Sequence, residues 1–481
     1  MIDSEETEKL SPPVKKHQEL ELKIENLAFG GKGIAHVDDY IIFIPKDAVP
    51  GQVVKALVTK ATSNYGEARV LGVIKRGYNE IKPLCPYFGN CGGCKHQNLQ
   101  YQEQLKQLYN QVKELYHLLG GFKETVVNFP VSSDKIFHYR NKMEFAFSNR
   151  RWIIDGLDEE KPKGFALGLR ASGNYWKAID IDDCIIAPEE SGILLSSVRN
   201  FALRNKISAY DQKRHKGFLR HLVIRKGQNT EQLMVNIVTN SDSPELLMPL
   251  ADELSKELPN LTSFVNTVNR GVSGTTTGEK TNLLYGKRYI EEKLGELTFK
   301  ISPASFFQTN TLMAEKLYEV VKDFSELEKD EVVWDLYCGT GTIALYLASY
   351  VKKVIGFEIV PEAIRDANEN AELNRIENVR FIKGNLDKLF RKEPEILKEL
   401  PSPDLIIIDP PRSGMHPKLV SDIIEIHPPK IVYVSCNPAT QVRDLKLIAD
   451  RGNYIIDSVQ PVDIFPHTPH IEVVAKLVLR F

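Results

Sequence analysis

The stretch EVVWDLYCGTGTIALYLASY, residues 331–350, decides the fold of the C-terminal part of the chain. It begins with a β-branched apolar run, which is typical of a buried strand, and ends with an apolar run of helical character. Between the two, Gly339 and Gly341 allow the backbone to turn and to approach a bound ligand closely. The stretch therefore predicts a strand, a glycine turn and a helix whose first amide groups face a ligand.

Further apolar runs after this stretch have the composition of buried strands. They are KKVIGFEI (352–359), NVRFIKG (378–384), PDLIIID (403–409) and KIVYVSC (430–436). Helical segments such as PEAIRDANENAELN (361–374) separate them, and this alternation predicts a doubly wound, Rossmann-like α/β fold with a parallel sheet. The last two runs, 453–463 and 470–481, leave no room for a crossover helix between them, so we expect them to pair antiparallel at the edge.

The ligand class follows from the end of the second strand. Glu358 stands there, where a carboxylate can accept hydrogen bonds from both hydroxyls of a ribose. A lone Gly-x-Gly would also suit a dinucleotide. Together with Glu358 and the two-stranded tail, it favours a class I S-adenosylmethionine fold over a dehydrogenase.

Two more loops reach the same edge of the predicted sheet. DPPRSG, residues 409–414, presents Asp409 and Arg412 on a loop that two prolines stiffen. The fifth strand ends in SCNP and delivers Cys436. A cysteine in such a run is often a packing residue, but the carboxyl edge of a doubly wound sheet is where ligands bind. This position favours a thiol in the ligand pocket.

The N-terminal part has a different pattern. Residues 18–76 contain short alternating runs separated by Gly, Pro and Asn, which predicts a small β-barrel. LAFGGKGIAHVDDYIIFIPKDAVPGQVV (27–54) resembles the TRAM domain, an OB-like RNA-binding barrel, although another small barrel with a different ligand is the alternative. Residues 97–120 space their apolar side chains as an amphipathic helix does and end in Gly-Gly.

Composition limits the function classes. The chain is 42% hydrophobic and 26% charged, which is typical of a folded protein, and we expect a cytoplasmic location without a signal peptide or membrane span. The formal charge is only -2, but residues 199–226 contain nine Lys or Arg and one Asp. Such a run indicates either RNA contact or an ordinary solvated face.

Five motifs together identify the chain as similar to the RNA uracil-C5 methyltransferase family. They are FFQTN (306–310), DLYCGTG (335–341), DPPR (409–412), SCNP (435–438) and FPHTPHIE (465–472). The resemblance implies that Cys436 adds to C6 of a uracil that is flipped out of the RNA, and that Glu472 is the general base. It also implies that Phe307 and Gln308 face this base, and that Arg140 and Lys142 contact RNA. The implied S-adenosylmethionine contacts are Gln308, Tyr337, Glu358, Asp409 and, more weakly, Asn385.

One residue departs from the family pattern. Thr342 stands where some relatives have Asn, which puts one contact to the methyl donor in doubt.

The remaining cysteines suggest a metal site. Cys85, Cys91 and Cys94 follow a C-x5-C-x2-C pattern, and Cys184 offers a distant fourth thiolate. Zinc and an iron–sulfur cluster are both chemically reasonable. The family resemblance implies a 4Fe-4S cluster with a structural role, whereas Cys338, inside the glycine turn, receives no role.

We therefore expect three domains and one reaction. The domains are TRAM (18–76), a central α+β RNA-binding domain (77–96 and 122–290) and the methyltransferase domain (97–121 and 291–481). The expected product is 5-methyluridine in structured RNA, with 23S rRNA favoured by the TRAM domain over tRNA. No membrane or obligate protein partner is implied, and a monomer is the simpler expectation. The rival readings are an inactive RNA-binding or chaperone protein of the same fold and an iron–sulfur redox enzyme.

Overall fold

The computed structural model describes residues 12–46, 48–157, 164–386, 397 and 399–480. The chain divides into two compact units. The first takes in the chain up to Gly89, Gly93–Gln111 and His467–Pro469, and the second takes in the rest. The three-domain division expected from the sequence is not tested by this arrangement and stays a prediction. No helix among the described residues has the length and apolarity that a bilayer crossing requires.

The first unit is built around a six-stranded sheet. Its strands are β1 (Glu19–Lys23), β2 (Asn26–Leu27), β3 (Gly33–Val37), β4 (Tyr40–Ile44), β5 (Val53–Ala61) and β6 (Tyr65–Lys75). They lie in the order β1-β5-β6-β4-β3-β2, antiparallel except for the β4–β6 pair. Alternate residues of β4 are buried, as the period of two predicts, and the predicted N-terminal β-structure is confirmed.

The predicted amphipathic helix is present as α1 (Tyr101–Glu114), followed by a π-helical turn, Leu115–Leu119. The boundary between the two units falls within this helix: Gln111 belongs to the first unit, and the residues that follow it belong to the second.

The second unit contains a central sheet that precedes the parallel one in the chain. Its early strands are β7 (Val126–Val127), β8 (Lys142–Ser148), β9 (Ala166–Gly168), β10 (Arg170–Ala171), β11 (Asn174–Ala178), β12 (Leu219–Lys226), β13 (Leu233–Thr239), β14 (Leu261–Val268), β15 (Lys280–Gly286), β16 (Ile290–Leu294) and β17 (Leu297–Ile301), with helices α2 (Ser191–Arg204) and α3 (Met248–Glu257). The central sheet has the order β15-β14-β13-β12-β8-β9, while β10–β11 and β16–β17 are separate two-stranded ladders.

The parallel sheet predicted from the sequence is the largest element of the second unit. Its strands are β18 (Val332–Leu336), β19 (Lys353–Glu358), β20 (Val379–Lys383), β21 (Leu405–Ile408), β22 (Lys430–Ser435), β23 (Tyr454–Val462) and β24 (Glu472–Leu479). The connecting helices are α4 (Thr311–Ser325), α5 (Thr342–Ala348), α6 (Pro361–Leu373), α7 (Pro417–Ile426) and α8 (Pro438–Gly452).

The order of this sheet is β20-β19-β18-β21-β22-β24-β23-β7. The first five strands run parallel, and β24 pairs antiparallel with both β22 and β23. The predicted Rossmann-like sheet and its antiparallel edge are therefore confirmed. The chain order reverses at β18, so the loops after β18 and β21 open a crevice at the carboxyl edge.

A glycine inside the sheet fixes the packing behind this crevice. A Cβ atom on Gly356 in β19 would lie 2.6 Å from the Phe381 ring and 2.8 Å from Cys338 Sγ. Both distances are shorter than van der Waals contact. The close approach of Cys338, which lies in the glycine turn, therefore requires that position 356 carry no side chain.

We predict that Gly356→Ala lowers the free energy of unfolding by about 1–3 kcal/mol, because the added methyl group forces Phe381 or the glycine turn to move. The midpoint temperature of unfolding, measured by calorimetry, tests this loss of stability. The matched control is Gly192→Ala in α2, where the new Cβ meets its nearest neighbour, Asp183 Oδ1, at an ordinary 3.4 Å. The control should change the midpoint little or raise it. Equal losses in the two variants would contradict the packing account.

Candidate active site

The glycine turn connects β18 to α5 through a series of left-handed residues. Tyr337, Gly339 and Gly341 have φ values of 65°, 54° and 77°. At Gly341 a side chain would also collide with Phe381, 2.7 Å from the position of its Cβ atom. The conformation is costly for Tyr337, which is not glycine, and it brings Tyr337 to the crevice that the sheet order creates.

Glu358 at the end of β19 reaches across to this turn. Its carboxylate accepts a hydrogen bond from Gly339 N at 3.1 Å, and its other oxygen accepts from Ile359 N and Val360 N at 2.7 and 2.8 Å. The carboxylate is therefore held in place by three backbone amides. The oxygen that accepts only from Gly339 N retains acceptor capacity for a further donor, such as a ribose hydroxyl.

A cavity of about 970 Å³ opens at the carboxyl edge of the sheet. Most of the residues that the sequence singles out line it: Gln308, Tyr337, Glu358, Asp409, Arg412, Cys436 and Glu472. Asn385 lies instead on a small adjoining cavity of about 140 Å³, whose wall also includes Tyr337 and Glu358. The structure thus brings together the loops that the sequence places at one edge.

The cavity also includes residues to which sequence reasoning gave no role. They include Phe306, Arg365, Asp366, Phe465 and His470. His470 stands two residues before Glu472 in FPHTPHIE, so the motif itself was an available signal.

Buried carboxyl groups make the inner part of the site acidic. Burial raises the pKa of Glu472 well above its usual range, the charge of Asp409 raises it further, and Arg412 opposes both. Burial likewise raises the pKa of Asp409. The pKa of Asp335, near the end of β18, is also raised. Burial is the main cause, and the charge of Asp409 is the second. Because each charge raises the proton affinity of its neighbours, the site favours either bound protons or a bound cation.

The thiol of Cys436 lies between the end of β22 and the start of α8. Its pKa is raised to about 11, first by burial and then by the charge of Glu472, while the Arg412 charge and a hydrogen bond with Arg412 lower it. Arg412 is thus the cation that offsets the acidic surroundings of the thiol.

The loops that carry Arg412 and Cys436 are hydrogen-bonded to each other. Asn437 Nδ2 and Thr440 Oγ1 both donate to the carbonyl oxygen of Arg412, at 2.9 and 3.2 Å. Asn437 N in turn donates to Ser435 Oγ at 3.1 Å. The guanidinium of Arg412 lies 3.2 Å from His470 Nδ1, which joins the loop before β24 to the same network. Pro438 begins α8, as proline at the first helical position does, so the loop after the thiol is short and stiff.

Side chains of the central sheet hold the wall of the cavity that FFQTN forms. Asn141 Nδ2 donates to the carbonyl oxygen of Gln308 and to Thr311 Oγ1, at 2.9 and 2.8 Å. The buried guanidinium of Arg225 in β12 donates to the carbonyl oxygen of Ser305 at 2.6 Å. The segment from Ser305 to Thr311 is therefore anchored from outside the parallel sheet.

One sequence prediction in this region needs correction. Phe307 does not line the cavity, because its ring is buried in the core against Phe299, with ring centroids 5.8 Å apart. Phe306 lines the cavity in its place and is 67% exposed.

Thr342 does not line the cavity either. The Thr342 hydroxyl lies 2.8 Å from the hydroxyl of the buried Tyr318. The residue that departs from the family pattern is therefore hydrogen-bonded to Tyr318 in this chain.

The two predicted RNA contacts differ in position. Arg140 lines the cavity and lies over the Phe465 ring at 5.9 Å. Lys142 is not among the lining residues and forms an ion pair with Glu144 at 2.6 Å.

The four predicted cluster ligands are partly or fully buried. Cys184 is buried, and Cys85, Cys91 and Cys94 are half-buried. Within the described part of the chain, however, no three His, Cys, Asp or Glu side chains are arranged to hold a metal ion. The iron–sulfur prediction therefore rests on the sequence pattern alone.

Family models match most of the chain in two blocks. The model of the tRNA (uracil-5-)-methyltransferase family matches residues 245–479, and that of the TRAM domain matches residues 13–71. A protein of Chlorobaculum tepidum described as an uncharacterized RNA methyltransferase is 42% identical over 89% of this chain and 89% of its own. A Halalkalibacterium halodurans protein with the same description is 38% identical over 98% and 99% of the two chains.

A solved structure is also similar over nearly the whole chain. It is that of Pyrococcus abyssi tRNA (uracil-54, C5)-methyltransferase in complex with S-adenosyl-L-homocysteine. The TM-score is 0.73 at 31% identity, covering 95% of this chain and 99% of that one.

We predict that the alkylation rate of Cys436 by iodoacetamide rises about tenfold per pH unit from pH 7.5 to 9.5 without a plateau, because only the thiolate reacts. Mass spectrometry of the Cys436 peptide measures the rate. Arg412→Gln should slow alkylation at every pH, since loss of the cation raises the pKa of the thiol further.

Arg365→Gln is the matched control for this experiment. It removes a guanidinium from the same cavity, but one that is paired with Glu362 and is not among the groups that shift the Cys436 pKa. A plateau below pH 9, or equal slowing by both substitutions, would contradict the electrostatic account.

Proposed function

This chain belongs to the RNA uracil-C5 methyltransferase family, and we propose that it methylates its target uridine through a covalent bond between Cys436 and C6 of the base. It is an RNA (uracil-5-)-methyltransferase that depends on S-adenosylmethionine. The observation that carries the covalent step is that the Cys436 thiol and the Glu472 carboxyl group line the same cavity.

The cavity suits a cationic nucleoside ligand. Asp409 and Glu472 make it acidic, and Glu358 offers a fixed carboxylate for ribose hydroxyls. S-adenosylmethionine has this chemistry and supplies an electrophilic methyl group when bound. We propose that Gln308, Tyr337, Glu358 and Asp409 hold it, and that Asn385 contributes from the adjoining cavity.

Cys436 provides the activation that uracil requires. In the proposed step the thiolate forms a bond to C6, the electron pair of the C5–C6 double bond moves toward the C4 carbonyl, and C5 becomes an enolate carbon. That carbon then accepts the methyl group. The raised pKa of Cys436 makes the thiolate scarce at neutral pH but strongly nucleophilic once formed. Arg412 increases the thiolate fraction, because its charge lowers the pKa of the thiol.

Glu472 completes the proposed cycle. After methyl transfer, C5 carries both a methyl group and its original proton. Glu472 takes this proton, the electron pair restores the C5–C6 double bond, and the C6–S bond breaks to release the thiolate. Because burial raises the pKa of Glu472, its ionised form is a stronger base than an exposed carboxylate. Ionisation of Glu472 is favoured by Arg412 and opposed by a charged Asp409.

The target RNA has two candidates. The TRAM domain led us to favour 23S rRNA, and we retain it as the proposed target. The Pyrococcus abyssi enzyme favours tRNA as the second candidate, since it acts on uracil-54 of tRNA and is aligned over 95% of this chain. A TRAM domain alone therefore does not separate the two RNAs. A cytoplasmic location and action as a monomer stay predictions from the sequence.

We predict that 23S rRNA transcribed with 5-fluorouridine forms a covalent complex with the enzyme and S-adenosylmethionine. After methyl transfer, fluorine replaces the proton that Glu472 would remove, so the C6–S bond cannot break. Denaturing gels detect the complex, and digestion maps the trapped nucleotide. A parallel reaction with 5-fluorouridine tRNA tests the second candidate, and a complex with tRNA alone would overturn the rRNA proposal.

Three variants test the residue roles in the same assay. Cys436→Ala should give no complex. Glu472→Gln should accumulate a complex even with ordinary uridine. Cys338→Ala is the matched cysteine control, because Cys338 is buried in the glycine turn and does not line the cavity. This variant should form the covalent complex as the unchanged protein does. Trapping by Cys436→Ala would contradict the proposed nucleophile.

We propose a 4Fe-4S cluster on Cys85, Cys91, Cys94 and Cys184 as a separate, structural feature that takes no part in the methylation steps. We predict that anaerobically purified protein is brown and contains iron and sulfide, and that Cys91→Ser loses the colour, the iron and the sulfide. Cys338→Ser should retain them. Protein that contains zinc alone would contradict the proposal.

A further inference from the structure

The basic run at residues 199–226 separates into two groups in the structure. Five of its nine cations are used within the fold. Arg199 pairs with Asp180, Arg204 with Glu253, and Lys226 with Glu190 and Glu231. The guanidinium groups of Arg220 and Arg225 are buried and donate to backbone carbonyl oxygens, including those of Asn269 and Ser305. Four of these five side chains are buried or half-buried, and the fifth, Arg204, is exposed but already paired with Glu253.

The other four cations, Lys206, Lys213, Arg214 and Lys216, are exposed. Three of them occupy one short turn, residues 211–216, and none of these three forms an ion pair with another residue in the part of the chain that is described. The run thus leaves a concentrated positive charge at a single place, outside the residues that line the catalytic cavity.

The acidic residue in this turn supports it without cancelling its charge. The Asp211 carboxylate accepts hydrogen bonds from Asn149 Nδ2 at 2.9 Å and from the backbone amides of Lys213 and Arg214 at 2.8 and 3.2 Å. Arg150 lies 3.5 Å from it. The pKa of Asp211 lies well below its usual range, and the hydrogen bond from Asn149 is the main cause. Asp211 is also buried, so its charge stabilises the turn rather than facing a ligand.

An exposed tryptophan lies beside this turn. Lys213 Nζ is 5.3 Å from the centroid of the Trp176 ring, and 44% of Trp176 remains exposed. An aromatic ring next to unpaired cations is the combination that binds single-stranded nucleic acid, because a base stacks on the ring while the cations contact phosphates.

We infer that these residues form a second RNA-binding surface, which holds an unpaired segment of the substrate away from the catalytic cavity. Its members, here called the Trp176 surface, are Trp176, Lys213, Arg214 and Lys216. The inference rests on RNA being the substrate but does not depend on the covalent mechanism or on which RNA is methylated. Trp176 requires an unstacked base, so the surface binds single strands and loops in preference to duplex.

The chain offers a matched control pair. Lys177 Nζ lies 5.3 Å from the centroid of the Trp152 ring, the same distance as in the Lys213–Trp176 pair. Trp176 and Lys177 are neighbours in β11, so their side chains point to opposite faces of the ladder. Lys177→Ala therefore removes one lysine from beside a tryptophan without changing the Trp176 surface.

The test is fluorescence anisotropy of the full chain with a labelled oligouridylate of about 15 nucleotides, without methyl donor. Trp176→Ala should weaken binding about tenfold, and Trp176→Phe less. Lys213→Ala should weaken binding and reduce the slope of log affinity against log salt by about 0.7. Lys177→Ala should bind as the unchanged chain does. With an RNA duplex of equal length, Trp176→Ala should have little effect.

Intrinsic fluorescence gives an independent measurement. The chain has three tryptophans, and Trp334 is buried. Oligouridylate should quench emission in the unchanged chain and in Trp152→Phe, but not in Trp176→Phe. Unchanged affinity of Trp176→Ala, equal weakening by Lys177→Ala and Lys213→Ala, or equal quenching in Trp176→Phe would overturn the inference. Both measurements record binding without methyl donor and without methylation, so failure of the covalent mechanism would leave this result intact.

Discussion

Burial of acidic side chains at the carboxyl edge of the parallel sheet is the constraint on which the site depends. Glu472 is buried and Asp409 half-buried, and the charge of Asp409 makes ionisation of Glu472 less favourable. A buried charge without compensation is strongly destabilising, so such a site must hold a proton or a cation. Arg412 supplies one positive charge from the chain itself, and it acts on both Glu472 and Cys436. The Cys436 thiol, the Glu472 carboxyl group and the cavity that they line are therefore one electrostatic unit.

Much of this arrangement was predictable from the sequence, because the sheet edge is set by strand order and strand ends. Glu358, Asp409 and Cys436 each follow a recognisable buried strand, and parallel strands of one sheet end at the same edge. The antiparallel pairing of β24 then brings Glu472, its first residue, to the end of β22. Periodicity and strand ends thus predicted the fold and the positions of Glu358, Asp409 and Cys436, whereas Gln308, Tyr337 and Glu472 were expected from the family resemblance alone.

The rest depended on contacts that periodicity does not encode. FFQTN contains two adjacent phenylalanines, and only the packing of Phe307 against Phe299 determines that Phe306 is the one at the cavity. Sequence reasoning likewise read residues 199–226 as one basic run, although Arg225 is buried and donates to the carbonyl oxygen of Ser305. An arginine guanidinium can be a solvent-exposed charge, or it can donate several hydrogen bonds to buried carbonyl groups. The sequence shows an arginine in both cases.

The hydrogen bonds of Asn141 and Arg225 have a consequence for how this architecture can be recombined. The segment from Ser305 to Thr311 belongs to the C-terminal part of the chain, but its backbone is fixed by side chains from the central sheet. A C-terminal fragment that begins near residue 291 would keep the glycine turn and the thiol and lose the support of one cavity wall. The C-terminal part of the chain therefore cannot be transferred alone, and a working chimera must inherit Asn141 and strand β12 from the same parent.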